Sequence, residues 1–394
     1  MERMRDPERD QVLRQAVRSA GLKAILAWYP EDIVLSCGTW PCLGLTLCLY
    51  PADGAPVFYA ASNEPEDVLP AGFVHRRFMP GAAAWTALHG VLAADLAERG
   101  IAPGGLGIAM DDGQHALPSF PGETPPLTQA AVQVILGGFA TRDATDVFAR
   151  CGQRKTRHEI EALRRTNAAA GAGLDAFHSA LTPGTTETGI AAAVESAIQC
   201  FSGREGCRLA RGWAHVQGGR HIYEAGTFSR SSALRVQAGD LVLLELATCV
   251  DGYWSDLTRT ACVGKTSDRQ RRLLAAVKEA QAAAIRSIRP GVSHESIDAA
   301  ARNSLTASGF GAGFVHGCGH HVGFRYHDRG PALQAGSTQP LEGGMVITVE
   351  PGSYGTDFKG GARFEDNVLV GPAGPEILSP IEKSWQPGTG EERA

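Results

Sequence analysis

The sequence predicts a protein of the α+β class with two domains, a smaller α/β domain followed by a larger C-terminal domain. The chain has 394 residues, which is more than one ordinary domain contains. Helical and extended patterns alternate through its first part, as in small α/β domains. A helix-start signal then follows at Thr156, close to the point where such a domain would end. We therefore expect the domains to span residues 1–150 and 151–394.

Hydrophobic periodicity predicts the elements of the first domain. Apolar residues at helical spacing precede Gly21, and glycine is common just after a helix end. Leucines alternate with other residues over 43–49, and Asp53-Gly54 follows before another apolar run, which is typical of a hairpin. The predicted helices are 9–20 and 85–96, and the predicted strands are 24–28, 43–49, 57–59, 106–110 and 132–136.

The second domain opens with a capping box, in which Thr156 caps the helix start and Glu159 reaches back to it. Further along, Asp251-Gly252 joins two apolar runs and predicts a second hairpin. The predicted helices are 156–181, 186–200, 267–288 and 295–307, and the predicted strands are 241–250, 253–262, 345–350 and 363–370.

Composition excludes several classes of function. Apolar residues make up 43% of the chain and the formal net charge is −5, without a dense Lys/Arg cluster, so nucleic acid is not an expected partner. No apolar run is long enough to span a membrane, and the charged N-terminus lacks the apolar stretch of a secretory signal. The nine cysteines show no C-x-x-C spacing, which favours free thiols in a reducing compartment. We therefore expect a cytoplasmic protein.

Acidic and imidazole side chains lie at strand ends or beside glycine in four segments of the second domain. Glu245 interrupts the apolar run 241–246, where an unpaired carboxylate would be costly, so it should be paired either with an arginine or with a cation. Glu350 ends an apolar strand in the same way. Together with Asp256, His320 and Glu365, these residues favour a divalent-cation site, because hard cations bind oxygen and Mn, Co, Fe and Zn also accept imidazole.

These segments resemble the peptidase family that contains methionine aminopeptidase, aminopeptidase P, prolidase and creatinase. The matching motifs are S-D-L-T-R-T at Asp256, G-H-H-V-G at His320, T-V-E-P-G at Glu350 and R-F-E-D-N at Glu365. The resemblance implies a pita-bread fold for the C-terminal domain. The first half is more loosely similar to the creatinase-type N-terminal domain, which favours the prolidase, aminopeptidase P and creatinase branch.

The resemblance also implies roles for individual residues. The family's metal set is Asp, Asp, His, Glu and Glu, which corresponds here to Glu245, Asp256, His320, Glu350 and Glu365. A metal-activated water would attack a carbonyl carbon, and Glu350 would take its proton. His327 matches a histidine that faces the substrate and would stabilise the oxyanion. Arg363 matches an arginine beside the site, and Thr258 is a further candidate, which could orient Asp256.

Two positions depart from the family pattern. The first family aspartate lies eleven residues before Asp256, where this chain has Glu245. The longer side chain predicts a centre that is mononuclear or has one weak metal position. The family also has a histidine further upstream. It aligns near Phe228, where this chain has no histidine. Either His221 or His215 could take its place, and it is equally consistent with the sequence that both are ordinary loop histidines.

The predicted function is a metal-dependent hydrolase of the Xaa-Pro dipeptidase or aminopeptidase P type, acting on a small peptide or another small molecule. Manganese is the favoured metal, with Co, Zn or Fe as alternatives and one or two ions bound. The competing predictions are a non-peptidase enzyme on the same fold, such as a creatinase-like C–N hydrolase or a lyase, and a catalytically silent binding module. By the same resemblance we expect a homodimer.

Overall fold

The computed structural model describes residues 6–40, 45–110, 127–224, 230–358 and 360–379. The chain divides between His158 and Glu159 into two compact units. Within the described ranges, none of the helices is both long enough and apolar enough to cross a membrane.

A six-stranded mixed sheet forms the centre of the first unit. Its elements are, in chain order, α1 (Pro7–Ser19), β1 (Ala24–Ala27), α2 (Pro30–Cys37), β2 (Thr46–Pro51), β3 (Val57–Ala61), β4 (Val74–Phe78), α3 (Ala84–Glu98), β5 (Leu106–Ile108), α4 (Gln129–Leu136), β6 (Thr141–Asp143) and α5 (Thr145–Gln153). The strand order is β4-β3-β2-β1-β5-β6. β1 pairs antiparallel with β2 and parallel with β5, and the consecutive strands β2 and β3 form an antiparallel hairpin, so the sheet is mixed.

The predictions for this unit are confirmed for α1, α3, β1, β3 and β5, and one of them is wrong. Residues 132–136 were expected to form a strand but lie in α4, which begins with Thr128 accepting a hydrogen bond from Ala131 N and ends at the left-handed Gly137. A short apolar run cannot be assigned from periodicity alone, because buried strands and buried helices look alike over five residues. Of the predicted strand 43–49, residues 43–44 lie outside the described part, and β2 begins at Thr46.

Within the described residues, the second unit contains five α-helices, the shortest a single turn, and three small sheets. Its elements are α6 (Arg157–Ala180), α7 (Glu187–Gln199), β7 (Ala210–Gly218), α8 (His221–Glu224), β8 (Leu241–Val250), β9 (Tyr253–Cys262), α9 (Asp268–Ser287), α10 (His294–Ala307), β10 (Val346–Val349), β11 (Gly352–Gly355), β12 (Gly360–Arg363), β13 (Asp366–Gly371) and β14 (Gly374–Ile377). The sheets are β7-β8-β9, β10-β13-β14 and β11-β12. α6, α7, α9, α10 and the hairpin of β8 and β9 confirm the predictions, whereas β7 was not predicted.

The hairpin of β8 and β9 turns at Asp251 and Gly252. Both residues have positive φ angles, 52° and 91°, which is the backbone geometry that closes a two-residue hairpin without splaying its strands. Glycine tolerates this conformation, and aspartate tolerates it better than most residues. This turn sets the register of the hairpin, and the register decides which side chains share a face.

The register places the acidic residues of the hairpin on one face of its sheet. Glu245 of β8 is directly opposite His215 of β7 and Thr258 of β9, and Asp256 is opposite Ala247. Directly opposed residues point to the same side, so these polar side chains face together. The alternate residues form an apolar core with the helices; this core includes Leu244, Leu246, Leu257, Leu174, Phe177, Ile190 and Val194.

Candidate metal centre

Five segments bring the acidic and imidazole residues of the second unit together. Glu245 comes from β8 and Asp256 from β9, while Glu350 directly follows β10 and Glu365 lies between β12 and β13. His320 lies in the segment between α10 and β10. Its backbone N–H donates to Thr348 Oγ1 at 3.0 Å, and its carbonyl accepts from Thr348 N at 2.8 Å.

Gly319 allows this close approach of the His320 segment to β10. Its φ is +153°, and a Cβ at this position would lie 2.2 Å from the Thr348 carbonyl oxygen. No flexible side chain could move aside, because the obstacle is backbone. The glycine before His320 is therefore required for the imidazole to reach the carboxylates.

Asp256, His320 and Glu365 each offer one ligand atom, and these three atoms all lie within 4.8 Å of one another. His320 Nε2 is 3.3 Å from Asp256 Oδ2 and 3.7 Å from Glu350 Oε1. Glu350 thus lies beside the three, on the side of the imidazole. An oxygen-rich set with one imidazole is a chemistry that suits a divalent transition metal.

The hydrogen bond on the far side of His320 determines its tautomer. Nδ1 lies 2.9 Å from the His321 carbonyl oxygen, which can only accept, so Nδ1 carries the proton. Nε2 then presents a lone pair toward Asp256 and Glu350. Burial lowers the pKa of His320 to about 4, which favours the neutral ring. A neutral imidazole with one nitrogen anchored on a backbone carbonyl is the usual arrangement of a histidine ligand.

The carboxylates of the centre destabilise one another's charge. Burial raises the pKa of Asp256, and neighbouring Glu365 and Glu350 raise it further. Burial followed by Glu365 also raises the pKa of Glu350, and burial raises the pKa of Glu365. Asp256 Oδ1 and Glu365 Oε1 are buried without a hydrogen-bond partner among the described residues. Buried oxygens of this kind need a cation or a proton, so the residues present fit a divalent ion.

Glu245 is engaged by protein donors. The Tyr326 hydroxyl donates to Oε1, and Oε2 accepts from Arg363 Nη2. Thr258 Oγ1 lies 2.6 Å from the same Oε2 and 2.7 Å from Glu365 Oε2. The structure therefore does not bring Glu245 into the three-residue group, although the sequence placed it in the metal set. Of its two predicted partners, an arginine or a cation, the arginine is the one the structure supplies.

Arg363 is itself held in place by three partners. Besides Glu245, its Nε donates to Thr258 Oγ1 at 2.9 Å and its Nη1 donates to the Tyr354 hydroxyl at 3.2 Å. His316 Nδ1 faces the Gly317 carbonyl at 2.8 Å, so its Nε2 is the acceptor for the Tyr354 hydroxyl at 2.9 Å. A continuous row of hydrogen bonds thus runs from the backbone through Tyr354 to the guanidinium.

The remaining predicted site residues differ in their placement. The ring of His327 lies 4.0 Å from the ring of His320, centroid to centroid, beside the three-residue group. His221 lies in α8, where its Nδ1 is 3.0 Å from Glu187 Oε1. His215 is the register partner of Glu245 and shares its face. Phe228, where the family histidine aligns, lies outside the described residues.

Three residues of the centre escaped sequence reasoning or were given another role. Tyr326 directly precedes His327, but nothing in the sequence connects its hydroxyl with Glu245. Tyr354 lies two residues after Gly352, with no polar pattern to single it out. Thr258 was expected to orient Asp256, but its hydroxyl contacts Glu245, Glu365 and Arg363. Thr258 and Asp256 are two residues apart on β9 and share a face of its sheet.

Comparison with known proteins agrees with this centre. The model of the family described as "Metallopeptidase family M24" matches residues 161–372. This range is more than half of the chain and contains every residue of the centre. The chain belongs to metallopeptidase family M24. It is 32% identical over 270 residues to the Xaa-Pro dipeptidase of Lactobacillus helveticus, covering 66% of this chain and 70% of that protein. It is 34% identical over 229 residues to the Xaa-Pro dipeptidase of Pyrococcus furiosus, covering 58% of this chain and 64% of that one.

The fold is shared along nearly the whole chain. The structure of dipeptidase PepE from Mycobacterium ulcerans superposes with a TM-score of 0.72 at 28% identity and covers 96% of both chains. The predicted M24 family and the predicted fold class, a pita-bread domain preceded by a creatinase-type domain, are thereby confirmed. The chain is accordingly a hydrolase of the metallopeptidase type, and its family implies a divalent metal.

Proposed function

We propose that this chain is a metal-dependent Xaa-Pro peptidase that hydrolyses small peptides at the bond preceding proline. The observation that carries this proposal is the group of Asp256, His320 and Glu365 with Glu350 beside it, in a chain whose relatives are named Xaa-Pro dipeptidase. Those names favour a peptidase over a creatinase-like hydrolase, a lyase or a silent binding module. Dipeptides and longer peptides both remain within the proposed substrate class.

Asp256, His320, Glu350 and Glu365 are the residues that would hold the ion, for which we propose manganese. When bound, such a cation lowers the pKa of a water and polarises a carbonyl oxygen. The lone pair of His320 Nε2 supports a divalent ion at this place, and so do the buried oxygens of Asp256 and Glu365 that have no hydrogen-bond partner among the described residues.

Glu350 is the proposed proton carrier. Its side chain is 16% exposed, whereas Asp256 and Glu365 are almost fully buried, so it is the carboxylate with the best access to solvent and substrate. It would accept a proton from the attacking water at its carboxylate and pass it to the departing amine. Its raised pKa, caused by burial and by Glu365, suits a group that must hold a proton between the two steps.

His327 and Arg363 are the proposed groups that face the substrate. His327 would donate to the oxygen on which negative charge develops, and its position against the ring of His320 supports this role. Arg363 Nε lies 4.0 Å from Glu350 Oε2 and adds positive charge to the same side of the centre. The substrate-facing role of His221 stays a prediction, and His215 is the alternative because it shares the face of Glu245.

The proposal is tested with purified protein, either loaded with Mn²⁺ or treated with a chelator. We expect hydrolysis of Xaa-Pro dipeptides or of longer Xaa-Pro peptides and much slower hydrolysis of matched Xaa-Ala peptides. Glu350→Gln should lower kcat by about 10²–10⁴-fold, which is the usual contribution of a general base. Glu279→Gln is the matched control, since Glu279 is exposed on α9 and pairs only at the surface. Full activity of Glu350→Gln, or equal activity with and without chelator, would refute the proposal.

The proposed setting is a cytoplasmic homodimer. Cys207 and Cys262 are buried thiols whose pKa is raised to about 11 by burial, so neither is poised for oxidation chemistry, in line with a reducing compartment. The dimer is an expectation from the family and is tested by light scattering on the eluting protein.

A further inference from the structure

We infer that the centre holds one tightly bound metal ion. Glu245 stands where the family has a ligand for a second ion, and here it forms an ion pair with Arg363 instead. This inference rests on the proposed function, because it concerns the stoichiometry of the same metal centre.

Glu245 has little capacity for further ligation. One of its oxygens accepts from the Tyr326 hydroxyl, and the other accepts from Arg363 and lies 2.6 Å from the Thr258 hydroxyl. The side chain is only 6% exposed, so these donors replace water. A carboxylate whose two oxygens accept from Tyr326 and Arg363 and share the proton of the Thr258 hydroxyl with Glu365 has little left to offer a cation.

The charge of Arg363 opposes a second cation beside Glu245. A guanidinium is protonated at every pH a protein tolerates, so Arg363 brings a permanent positive charge against Glu245. The side chain of Arg363 is 13% exposed, which leaves little water to screen this charge. A second cation bound through Glu245 would have to displace Arg363 or lie next to it.

Arg363 is also held rigidly in its position. Arg363 is fixed on its other edge by Thr258 and Tyr354, and Tyr354 is fixed in turn by His316. Swinging the guanidinium away would break these hydrogen bonds in a buried place. The extra methylene of glutamate, relative to the family's aspartate, supplies the reach that brings the carboxylate to Arg363 and Tyr326.

The other ligands remain available for a single ion. Asp256, His320 and Glu365 lie together, and Asp256 and Glu365 each retain a buried oxygen without a partner in the described structure. With Glu350 they form one oxygen-rich set with a single imidazole, which would hold one divalent ion.

The test measures stoichiometry and does not depend on activity. Wild-type protein is dialysed against buffered micromolar Mn²⁺, and bound metal is counted by elemental analysis, with electron paramagnetic resonance to distinguish an isolated ion from an exchange-coupled pair. We expect one ion per chain and the spectrum of an isolated ion. Two tight ions per chain would overturn the inference but leave the proposed function intact. No bound ion, with no stabilisation by Mn²⁺, would overturn the proposed function itself.

Two substitutions at Glu245 and one matched control complete the test. Glu245→Gln should keep one ion with an affinity within about tenfold of wild type, whereas Glu365→Gln should weaken binding by about 100-fold or more, since only Glu365 is assigned as a ligand. Glu245→Asp should retract from Arg363 and admit a second ion at millimolar Mn²⁺. Circular dichroism checks that each variant is folded. A folded Glu245→Gln that loses its metal, or a folded Glu245→Asp that binds no second ion, would overturn the inference. If a variant does not fold, the wild-type count decides.

Discussion

Replacing Thr258 by valine removes one hydroxyl from the middle of the centre at almost unchanged volume. Thr258 is fully buried, and its Oγ1 lies 2.6 Å from Glu245, 2.7 Å from Glu365 and 2.9 Å from Arg363 Nε. A hydroxyl has one proton, so it donates to one carboxylate at a time while it accepts from the arginine. Two hydrogen bonds to charged groups are therefore lost at once. Each contributes about 1.5–3 kcal/mol, so we expect metal-free Thr258→Val to lose about 3 kcal/mol or more of unfolding free energy.

Thr248 provides the matched control on the neighbouring strand. It is also fully buried, but it lies on the other face of β8 and its Oγ1 has no hydrogen-bond partner among the described residues. Thr248→Val should be neutral or stabilise the protein by up to about 1 kcal/mol, because an unsatisfied buried hydroxyl is removed. Urea unfolding with chelator present, followed by circular dichroism, compares the two midpoints. Equal midpoints for the two variants would show that the hydroxyl of Thr258 does not organise the centre.

Three further predictions concern the metal, the backbone and pH. Mn²⁺ at about 100 times its Kd should raise the free energy of unfolding of wild type by about 2.7 kcal/mol. Calorimetry should show this stabilisation abolished in Glu365→Gln. An undiminished stabilisation of the variant would place the ion elsewhere. Gly319→Ala should lower the free energy of unfolding in urea by about 3 kcal/mol or more, because the added Cβ would lie 2.2 Å from the Thr348 carbonyl oxygen. The control is Gly90→Ala within helix α3, where the space around the glycine is open, and it should raise the free energy of unfolding by about 0.5–1 kcal/mol. Similar effects of the two substitutions would contradict the clash. Burial lowers the pKa of His178 to about 4, below its ordinary value near 6.5, so the unfolded chain binds this proton first and the contribution of His178 to metal-free stability should fall as pH drops from about 6.5 to 4. With its partial exposure taken into account this loss is about 1–2 kcal/mol. Urea titrations should show the stability difference between wild type and His178→Gln change by this amount over that pH range, and a difference that stays constant is the contrary result.

Local signals were sufficient where local physics decides the conformation. The hairpin at Asp251-Gly252 was predictable because only a few residues tolerate two successive positive φ angles. Helix α9 was predictable from its periodicity, and it begins with a capping box of Ser267 and Gln270. In contrast, the run 132–136 has the same apolar character in a buried helix as in a buried strand, and only its packing distinguishes the two.

Long-range pairing marks the limit of sequence reasoning at the site. The ligand residues could be identified because each lies in its own recognisable motif. The partner of Glu245 could not, since Arg363 lies 118 residues away and a cation was an equally good expectation for a buried carboxylate. His221 illustrates the same limit, because its contact with Glu187 joins two elements that no local pattern connects. The choice between partners depends on the folded arrangement of strands, not on residue type.

The backbone explains how so much negative charge can be gathered before any ion binds. Glu365 N donates to the Thr258 carbonyl at 3.1 Å, and the Glu365 carbonyl accepts from Arg259, which also pairs with Asp366 at 2.7 Å. Both backbone groups of the ligand are thus fixed on β9, the strand that carries Asp256. Ligands held in this way cannot separate to relieve their repulsion, so the cost appears as the raised pKa values of Asp256 and Glu350 instead of as disorder. Metal-free protein should therefore remain folded but less stable, and binding of the ion should raise its stability with little change in its circular dichroism.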